Sequence, residues 1–207
     1  MNPQLVIIDY GMGNLWSVLS AFRYLGVDTV ISSDPDLIAS ANMLVLPGVG
    51  SFRKAMSALE DRYLIDPLKD AVLYRKTKIL GICLGMQLFG KYGSEDGGTK
   101  GLDFIGGEVT SFEPADLDSF KLPHVGFNNV YFSTGSKLGE GLEDGPDFYF
   151  VHSYRMLAGD LQGELGICDY GREFLATYEH KNIYATQFHP EKSQSNGLKL
   201  LTNFLLA

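Results

Sequence analysis

A single cysteine, Cys83, stands where a short apolar segment gives way to a segment with helical spacing. Gly81 and Gly85 flank it two positions to either side, so the pattern is Gly-x-Cys-x-Gly. This is the cysteine form of the nucleophile elbow, in which a strand turns sharply into a helix and exposes the nucleophile at the bend. The glycines have a steric reason, because the strand and helix backbones approach closely there. The pattern predicts a strained Cys83 whose thiolate is favoured by the helix N-terminus.

Cys83 also has a simpler interpretation. A lone cysteine in an apolar segment is usually a small buried hydrophobic residue, and with 24 glycines in 207 residues a chance match to the pattern is easy. His189, followed two residues later by Glu191, favours the catalytic interpretation. A histidine takes the thiol proton and later protonates a leaving amine, while the acid fixes its tautomer. We therefore predict that Cys83, His189 and Glu191 act together.

The first 90 residues alternate between short apolar segments and segments of helical spacing. Strands are predicted at 4–9, 28–32, 42–46 and 79–82. Helices are predicted at 14–25, between the second and third strands, around 52–59, at 67–75 and at 84–89, with Asn14 capping the first and Asp66 capping the fourth. This alternation predicts an α/β fold with a doubly wound, mostly parallel sheet. Ligands of such sheets bind at the carboxyl ends of the strands, where Cys83 and a turn at 47–50 are expected to meet.

The second half changes character. Short strands separated by turns are predicted at 108–112, 128–132, 148–154, 164–169, 174–179 and 183–187. They predict antiparallel structure that extends or flanks the main sheet. A polar loop is expected at 93–101 and an exposed acidic segment at 113–119, and an amphipathic helix at 196–206 closes the chain. Because no linker is evident, we expect one domain over residues 1–207.

Composition excludes several classes of protein. The net charge is −8 and no basic cluster stands out, which argues against nucleic-acid binding. The two cysteines lie far apart and the four histidines lack ligand spacing, so neither a disulfide scaffold nor a metal or cofactor site is predicted. The first residues lack the pattern of a signal peptide, and no apolar segment has the length of a membrane span. A cytoplasmic enzyme is expected.

Three motifs, in this order, resemble those of the triad-type glutamine amidotransferases: PGVGSF (47–52), GICLGMQ (81–87) and FHPEKS (188–193). Five more narrow the resemblance: DYGMGNLWSV (9–18), GLDFIGGEV (101–109), LPHVGFNNV (122–130), YFVHSY (149–154) and NGLKLLTNFL (196–205). With them the chain resembles, nearly end to end, the glutaminase subunits of imidazole glycerol phosphate synthases, which belong to histidine biosynthesis. The order and spacing of the motifs are more specific than any one of them.

The resemblance implies a glutaminase. Cys83 would attack the side-chain amide of glutamine, giving a γ-glutamyl thioester and ammonia, and water would then release glutamate. His189 would serve as acid and base, and Glu191 would orient it. By the same resemblance Gln87 helps to hold the substrate, with Ser153 and Tyr154 near its amino-acid end. As a simpler interpretation, Ser153 and Tyr154 are plain strand residues.

The negative oxygen of the tetrahedral intermediate requires hydrogen-bond donors. The backbone N–H of Leu84, directly after the nucleophile, is the natural first donor. The second is expected at Val49, whose peptide in this family is thought to flip before its N–H faces the site. Gly48 and Gly50 flank that peptide and make a flip cheap. Such a flip gives a physical basis for a glutaminase that stays nearly silent until its partner is loaded.

The partner implied by the resemblance is a (β/α)8-barrel synthase subunit, which receives ammonia through an internal channel. His124, Phe127 and Asn128 lie in the stretch expected to face it. The chain has Val125-Gly126-Phe127 where the family commonly has Met-Gly-Trp, and Arg155 where it has a second tyrosine. Paralogous subunits linked to amidation of a surface-polysaccharide sugar are therefore an alternative. A free-standing cysteine hydrolase and an inactive scaffold are weaker alternatives, since FHPEKS and an intact Cys83 count against them.

Overall fold

A computed structural model describes residues 4–113 and 121–207. Its first half contains four strands: β1 Leu5–Ile8, β2 Thr29–Ser32, β3 Met43–Gly48 and β4 Lys78–Cys83. The helices between and after them are α1 Leu15–Tyr24, α2 Pro35–Ser40, α3 Phe52–Asp61, α4 Ile65–Lys69 and α5 Leu84–Leu88, and α4 continues as a π-helical turn over Asp70–Tyr74. The predicted alternation of strand and helix is confirmed. The predicted acidic segment falls almost wholly on 114–119, which lie outside the described residues.

The ten further strands of the described residues lie mostly in the second half. They are β5 Tyr92–Gly93, β6 Thr99–Lys100, β7 Glu108–Ser111, β8 His124–Asn129, β9 Tyr131–Phe132, β10 Asp147–His152, β11 Tyr154–Met156, β12 Glu164–Asp169, β13 Glu173–His180 and β14 Ile183–Thr186. Short 3-10 helices lie at Glu95–Gly97 and Pro190–Lys192, and α6 Gln194–Leu206 follows the second. No helix among the described residues is both long and apolar enough to cross a membrane.

The main sheet has eight strands in the order β2-β1-β3-β4-β14-β13-β12-β9. The strands from β2 to β14 are parallel, whereas β13, β12 and β9 pair antiparallel. This confirms the predicted α/β fold with an antiparallel extension in the C-terminal half. Two smaller antiparallel arrangements flank it: the hairpin β8–β10, and a four-stranded sheet β11-β7-β5-β6 that includes one parallel pair.

Both faces of the main sheet are buried, as a doubly wound fold requires. Val6 and Ile8 of β1 pack on the face covered by α3, α4 and α5, while Leu5 and Ile7 pack on the face covered by α1 and α6. Four consecutive buried apolar residues therefore serve two cores. This explains why β1 reads as a continuous apolar segment and not as an alternating one.

Of the two predicted helix caps, Asn14 is confirmed in position only, and Asp66 is wrong. Asn14 precedes α1 but its side chain makes no capping hydrogen bond. The fourth helix begins at Ile65, so Asp66 and Pro67 are its second and third residues. Both residue types are compatible with any position of a first turn, because proline needs no N–H acceptor there and an acid favours the positive helix end. Their presence therefore locates the turn but not its first residue.

Candidate active site

Cys83 is the last residue of β4 and directly precedes α5. Its backbone has φ 55° and ψ −111°, a conformation that only glycine adopts without strain. A Cβ added to Gly81 would lie 2.9 Å from the Met86 nitrogen, and one added to Gly85 would lie 1.7 Å from the Leu46 carbonyl oxygen. The predicted strain and the steric need for both glycines are confirmed. The backbone that excludes a side chain at Gly85 belongs to the neighbouring strand β3. The prediction had placed this close approach within the elbow, between its own strand and helix.

Three strands end side by side at this edge of the sheet. Gly48, at the end of β3, is in register with Cys83, and Thr186, at the end of β14, is in register with Ile82. The segment that follows β14 carries Gln187 and His189 beside the elbow. The fold thus brings the predicted nucleophile, the turn at 47–50 and the histidine motif to one place, although these segments are far apart in sequence.

His189 and Glu191 form a buried ion pair. Nδ1 of His189 lies 2.8 Å from Oε1 of Glu191, and the side chains are 2% and 1% exposed. Burial disfavours the charged imidazole, but the Cys83 thiol and the Glu191 carboxylate outweigh it and raise the pKa of His189 to about 10. Nε2 of His189 makes no hydrogen bond within the described part of the chain. One ring nitrogen is therefore held by the carboxylate, and the other is not hydrogen-bonded to any group in the described part of the chain.

The Cys83 sulfur has two further polar neighbours. It lies 3.9 Å from the Val151 carbonyl oxygen, an acceptor for the thiol, and Nε2 of Gln187 donates to it over 3.7 Å. Oε1 of Gln187 accepts from Nε2 of Gln87 over 2.9 Å, and the same Gln87 nitrogen donates to the Tyr154 carbonyl oxygen over 2.9 Å. The structure thus joins Gln87 and Tyr154, two predicted substrate residues, directly. Ser153 lies half-buried between β10 and β11.

The two predicted oxyanion donors are backbone N–H groups that belong to different segments. Leu84 is the first residue of α5, so its N–H has no acceptor within the helix. Val49 follows β3 with its side chain 42% exposed. A Cβ on Gly48 would lie 2.3 Å from the hydroxyl of Tyr10, so only glycine fits there, and Gly50 has φ +104°. The turn is thus bounded by two positions that require glycine for different reasons.

The predicted partner-facing residues separate into two environments. His124 is 1% exposed, and its ring stacks between Phe150 and Tyr170. Its side chain points inward, because a strand of alternating pattern turns every second residue inward, and the partner-facing role of this stretch stays a prediction. Phe127 is 43% exposed on the outer face of the β8–β10 hairpin, and Asn128 is half-buried.

Three residues near the site were not predicted: Gln187, His152 and Tyr10. Gln187 and His152 carry hydrogen bonds between the elements around Cys83. Tyr10 is fully buried beside Gly48, and its hydroxyl has no hydrogen bond among the described residues. A polar residue within an apolar strand segment is the signal that was available, since such a residue needs a partner when buried. Among the described residues no group of three or more potential ligands could hold a metal ion.

Residues 6–207 match the family described as glutamine amidotransferase class-I. The chain belongs to this family. It is 45% identical over 201 residues to the imidazole glycerol phosphate synthase subunit HisH 2 of Methanococcus maripaludis, covering 97% of this chain and 98% of that one. It is 46% identical over 201 residues to subunit HisH 1 of the same enzyme from Campylobacter jejuni, with coverage of 97% and 98%.

Solved structures support the fold. The structure of PurLQS from Thermotoga maritima aligns with a TM-score of 0.73 at 16% identity, covering 100% of this chain and 99% of that chain. At this level of identity the likeness concerns the architecture alone. It is the architecture expected from the alternation of strands and helices, and the predicted membership of the glutamine amidotransferases is confirmed.

Proposed function

We propose that this chain is a single glutamine amidotransferase domain that acts as the glutaminase subunit of an imidazole glycerol phosphate synthase. Its substrate is L-glutamine, and its products are glutamate and ammonia. The observation that carries the proposal is the 2.8 Å contact of His189 with Glu191 beside the strained Cys83 elbow. The two relatives named above support the choice of synthase.

The geometry supports the following proposed chemistry. The Cys83 thiol gives its proton to Nε2 of His189, which holds it because the carboxylate of Glu191 stabilises the imidazolium. The sulfur attacks the amide carbon, and the carbon–nitrogen bond breaks as His189 returns the proton to the leaving ammonia. Water, deprotonated by the same histidine, then cleaves the γ-glutamyl thioester and releases glutamate. The raised pKa of His189 favours the proton-holding state in the first step.

Negative charge develops on the carbonyl oxygen of glutamine during the attack. Two backbone N–H groups are proposed to stabilise this charge. The N–H of Leu84 is the first donor, because its position at the start of α5 leaves it without a helical acceptor. The N–H of Val49 is the second after its peptide has flipped, with Gly48 and Gly50 bearing the change of backbone conformation. Gln87, Ser153 and the Tyr154 backbone hold the amino-acid part of glutamine.

The proposed partner is a (β/α)8-barrel synthase subunit that forms a heterodimer with this chain and receives its ammonia. Ammonia released to water is mostly protonated and lost, so a sealed contact is required. The outer face of the β8–β10 hairpin supports this role, because Val125 and Phe127 are 53% and 43% exposed there. The proposed reaction takes place in the cytoplasm.

A second candidate is a paralogous subunit that supplies ammonia for amidation of a surface-polysaccharide sugar. The observation that favours it is the identity of the exposed hairpin residues, Val125 and Phe127, where the synthase subunits commonly have methionine and tryptophan. Arg155, the other departure, is 2% exposed and lies over the ring of Phe112 at 4.3 Å. It therefore belongs to the interior and says nothing about the partner.

The test is glutamate release from glutamine by the purified chain, alone and with a barrel subunit loaded with its nucleotide ligand. We expect low activity alone and strong activation by the histidine-pathway barrel. Activation only by a paralogous partner would instead support the second candidate. Activity of the free chain that no barrel changes would argue for a free-standing hydrolase.

A pair of cysteine variants controls the assignment of the nucleophile. Cys83→Ala should abolish glutamate release and still bind the barrel subunit. Cys168→Ala should retain activity, because Cys168 is buried in β12 and burial raises its pKa to about 12. Activity that survives in Cys83→Ala would refute the mechanism.

A further inference from the structure

Gln187 occupies the position directly after β14 and is completely buried. Its amide has one partner at each end: Nε2 donates to the Cys83 sulfur, and Oε1 accepts from Gln87. Because the two ends of an amide differ, this arrangement fixes which end faces the sulfur. Gln187 therefore presents an N–H, and not its carbonyl oxygen, to the Cys83 sulfur.

The hydrogen bonds continue away from the site on the other side of Tyr154. Nδ1 of His152 lies 2.8 Å from the Tyr154 carbonyl oxygen, the same atom that accepts from Gln87. Nε2 of His152 lies 2.9 Å from Nδ1 of His124, and Nε2 of His124 lies 3.0 Å from the side-chain nitrogen of Asn128. An unbroken series of side chains and one carbonyl thus runs from the β8–β10 hairpin to the sulfur.

The Tyr154 carbonyl determines which ring nitrogens of His152 and His124 carry the protons. A carbonyl only accepts, so Nδ1 of His152 carries the proton and Nε2 of a neutral ring must accept. Nδ1 of His124 is then the donor to it, and Nε2 of His124 accepts from the amide of Asn128. With both rings neutral, the N–H group of each ring has an acceptor. Burial favours this state, since it lowers the pKa of His124 to about 4 and that of His152 to about 3.

The outer end of the series lies at the surface. Asn128 is half-buried on β8, and its strand neighbours Phe127 and Asn129 point outward. The β8–β10 hairpin pairs with no strand of the main sheet among the described residues. Apart from its chain connections to β9 and β11, its alignment with the site therefore depends on side chains and single backbone contacts, and not on a continuous ladder.

We propose that Gln187 is a positioning residue that orients the Cys83 sulfur, and that the neutral His124–His152 pair connects its orientation to the β8–β10 hairpin. Gln187 does not contact the reacting amide; it acts through the nucleophile. The proposal rests on the proposed function only where it treats the outer face of the hairpin as the partner-facing surface. The link to Cys83 itself is independent of glutamine and of any partner.

The first test is the rate at which iodoacetamide alkylates Cys83 at pH 7, followed by mass spectrometry of the labelled peptide. Gln187→Met keeps the shape and removes the N–H, and we expect alkylation to slow roughly three- to tenfold, the value of one hydrogen bond. Gln187→Glu keeps the acceptor for Gln87 but places a carboxylate beside the sulfur, and it should be slower still. Gln162→Met, at an exposed loop position, should react like the wild type. Unchanged rates in both Gln187 variants, with folding verified by circular dichroism, would overturn the proposal.

The second test concerns the histidine pair. His124→Phe keeps an aromatic ring between Phe150 and Tyr170 but removes the donor to His152, so it should slow alkylation of Cys83. His124→Asn retains a side-chain N–H near the position of Nδ1 and should restore most of the rate. A purely structural role for His124 predicts the opposite order, because phenylalanine preserves the packing better than asparagine.

The tautomers give a signature that a packing role would not. Two-bond proton–nitrogen correlation spectra should show both rings neutral with the proton on Nδ1 at pH 7. A proton on Nε2 of His152, or a charged ring at that pH, would overturn the assigned directions. If the chain releases no glutamate with any barrel but the alkylation order and tautomers hold, the proposed function fails and this inference stands.

Discussion

The backbone N–H of His189 donates a hydrogen bond to the carbonyl oxygen of Tyr149 over 2.9 Å. The N–H of Tyr149 in turn donates to Oγ of Ser193 over 2.9 Å, and that hydroxyl donates to the His189 carbonyl oxygen over 2.7 Å. These three residues form a closed set of bonds between strand β10 and the turn that carries Glu191. The hairpin and the imidazole are therefore held in one frame.

Removal of the Ser193 hydroxyl tests that frame. Ser193→Ala leaves the Tyr149 N–H without its acceptor in a buried place, so we expect the free energy of unfolding to fall by about 1–3 kcal/mol. Glutaminase activity should fall with it, since His189 loses a support. Ser195→Ala, two residues on and exposed in α6, should stay within about 0.5 kcal/mol of the wild type. Equal effects in urea denaturation would contradict the role given to Ser193.

The charge on Glu191 governs the protonation of His189. The pKa of His189 is raised to about 10 because the Cys83 thiol and the Glu191 carboxylate favour the imidazolium more than burial disfavours it. Glu191→Gln removes the negative charge but keeps a hydrogen-bond acceptor, so the pKa of His189 should fall. The imidazolium is thus present below about pH 10 in the wild type and is lost at a lower pH in the variant.

Titration of the ring resonances by NMR measures this directly. His124 and His152, whose pKa values are about 4 and 3, lie far below and serve as internal references. A His189 midpoint that does not move in Glu191→Gln would show that the carboxylate is not the cause.

Cys83 stores backbone strain that glycine would relieve. At φ 55° and ψ −111°, the Cβ of an alanine at position 83 would clash with the backbone as that of Cys83 does. A glycine has no Cβ and adopts this conformation without strain. The strain is worth about 1–3 kcal/mol, and the greater freedom of glycine in the unfolded chain offsets about 0.4–1 kcal/mol of it. Cys83→Gly should therefore unfold at a higher urea concentration than Cys83→Ala, by about 1 kcal/mol in free energy. The reverse order would exclude strain at the elbow.

Gly85 tolerates no side chain, whereas Gly106 does. A Cβ on Gly85 would lie 1.7 Å from a carbonyl oxygen of β3, while one on Gly106 would meet nothing within 4 Å. Gly85→Ala should destabilise the chain by about 1–3 kcal/mol or more, because backbone must shift. Gly106→Ala should change the free energy of unfolding by less than about 1 kcal/mol. Thermal unfolding of the pair measures the difference, and similar melting temperatures would refute it.

The activation step is tested at Gly50. Its φ of +104° is poorly accessible to a β-branched residue, so Gly50→Val should hinder the proposed flip of the Val49 peptide. We expect the ratio of partner-activated to basal glutaminase activity to fall at least tenfold. Complete loss of one oxyanion donor reduces kcat by about 100- to 1,000-fold, so a tenfold fall corresponds to a partial loss. Gly159→Val provides the control, since Gly159 also has a positive φ, +48°, but lies in open surroundings. An unchanged ratio in Gly50→Val would count against the flip.

Local pattern was sufficient for the parallel core. The middle of the predicted segment 4–9 and the segment 79–82 are continuously apolar because both of their faces are buried, and the structure places β1 and β4 there within one residue. The Gly-x-Cys-x-Gly spacing predicted the elbow, because the strand and the helix that flank Cys83 are consecutive in sequence, although the contact that excludes a side chain at Gly85 comes from β3.

The antiparallel half was predicted less well. The segments 128–132 and 148–154 were each expected to form one strand, but each divides between two sheets, at Val130 and at Ser153. A strand that changes its partner keeps its extended backbone and its alternating pattern, so the sequence carries no mark of the change. For the same reason the burial of His124 depended on a hairpin register that sequence alone does not supply.

Gln187 shows a different kind of limit. It stands at the end of a predicted strand and was treated as part of it, because its residue type has many ordinary uses. Its role becomes visible only when Cys83 and Gln87, which lie 104 and 100 residues away, are brought to its two ends. Polar pairing across such separations is a property of the fold and not of any local pattern.

The main sheet ends, within the described residues, at the two-residue strand β9. An exposed sheet edge offers unpaired N–H and C=O groups to any other extended chain and so invites aggregation. β9 itself offers a template of only two residues, and it covers Gly166 and Ile167 of the longer strand β12. On this side, the short strand β9 therefore limits pairing of the main sheet with further copies of the same chain.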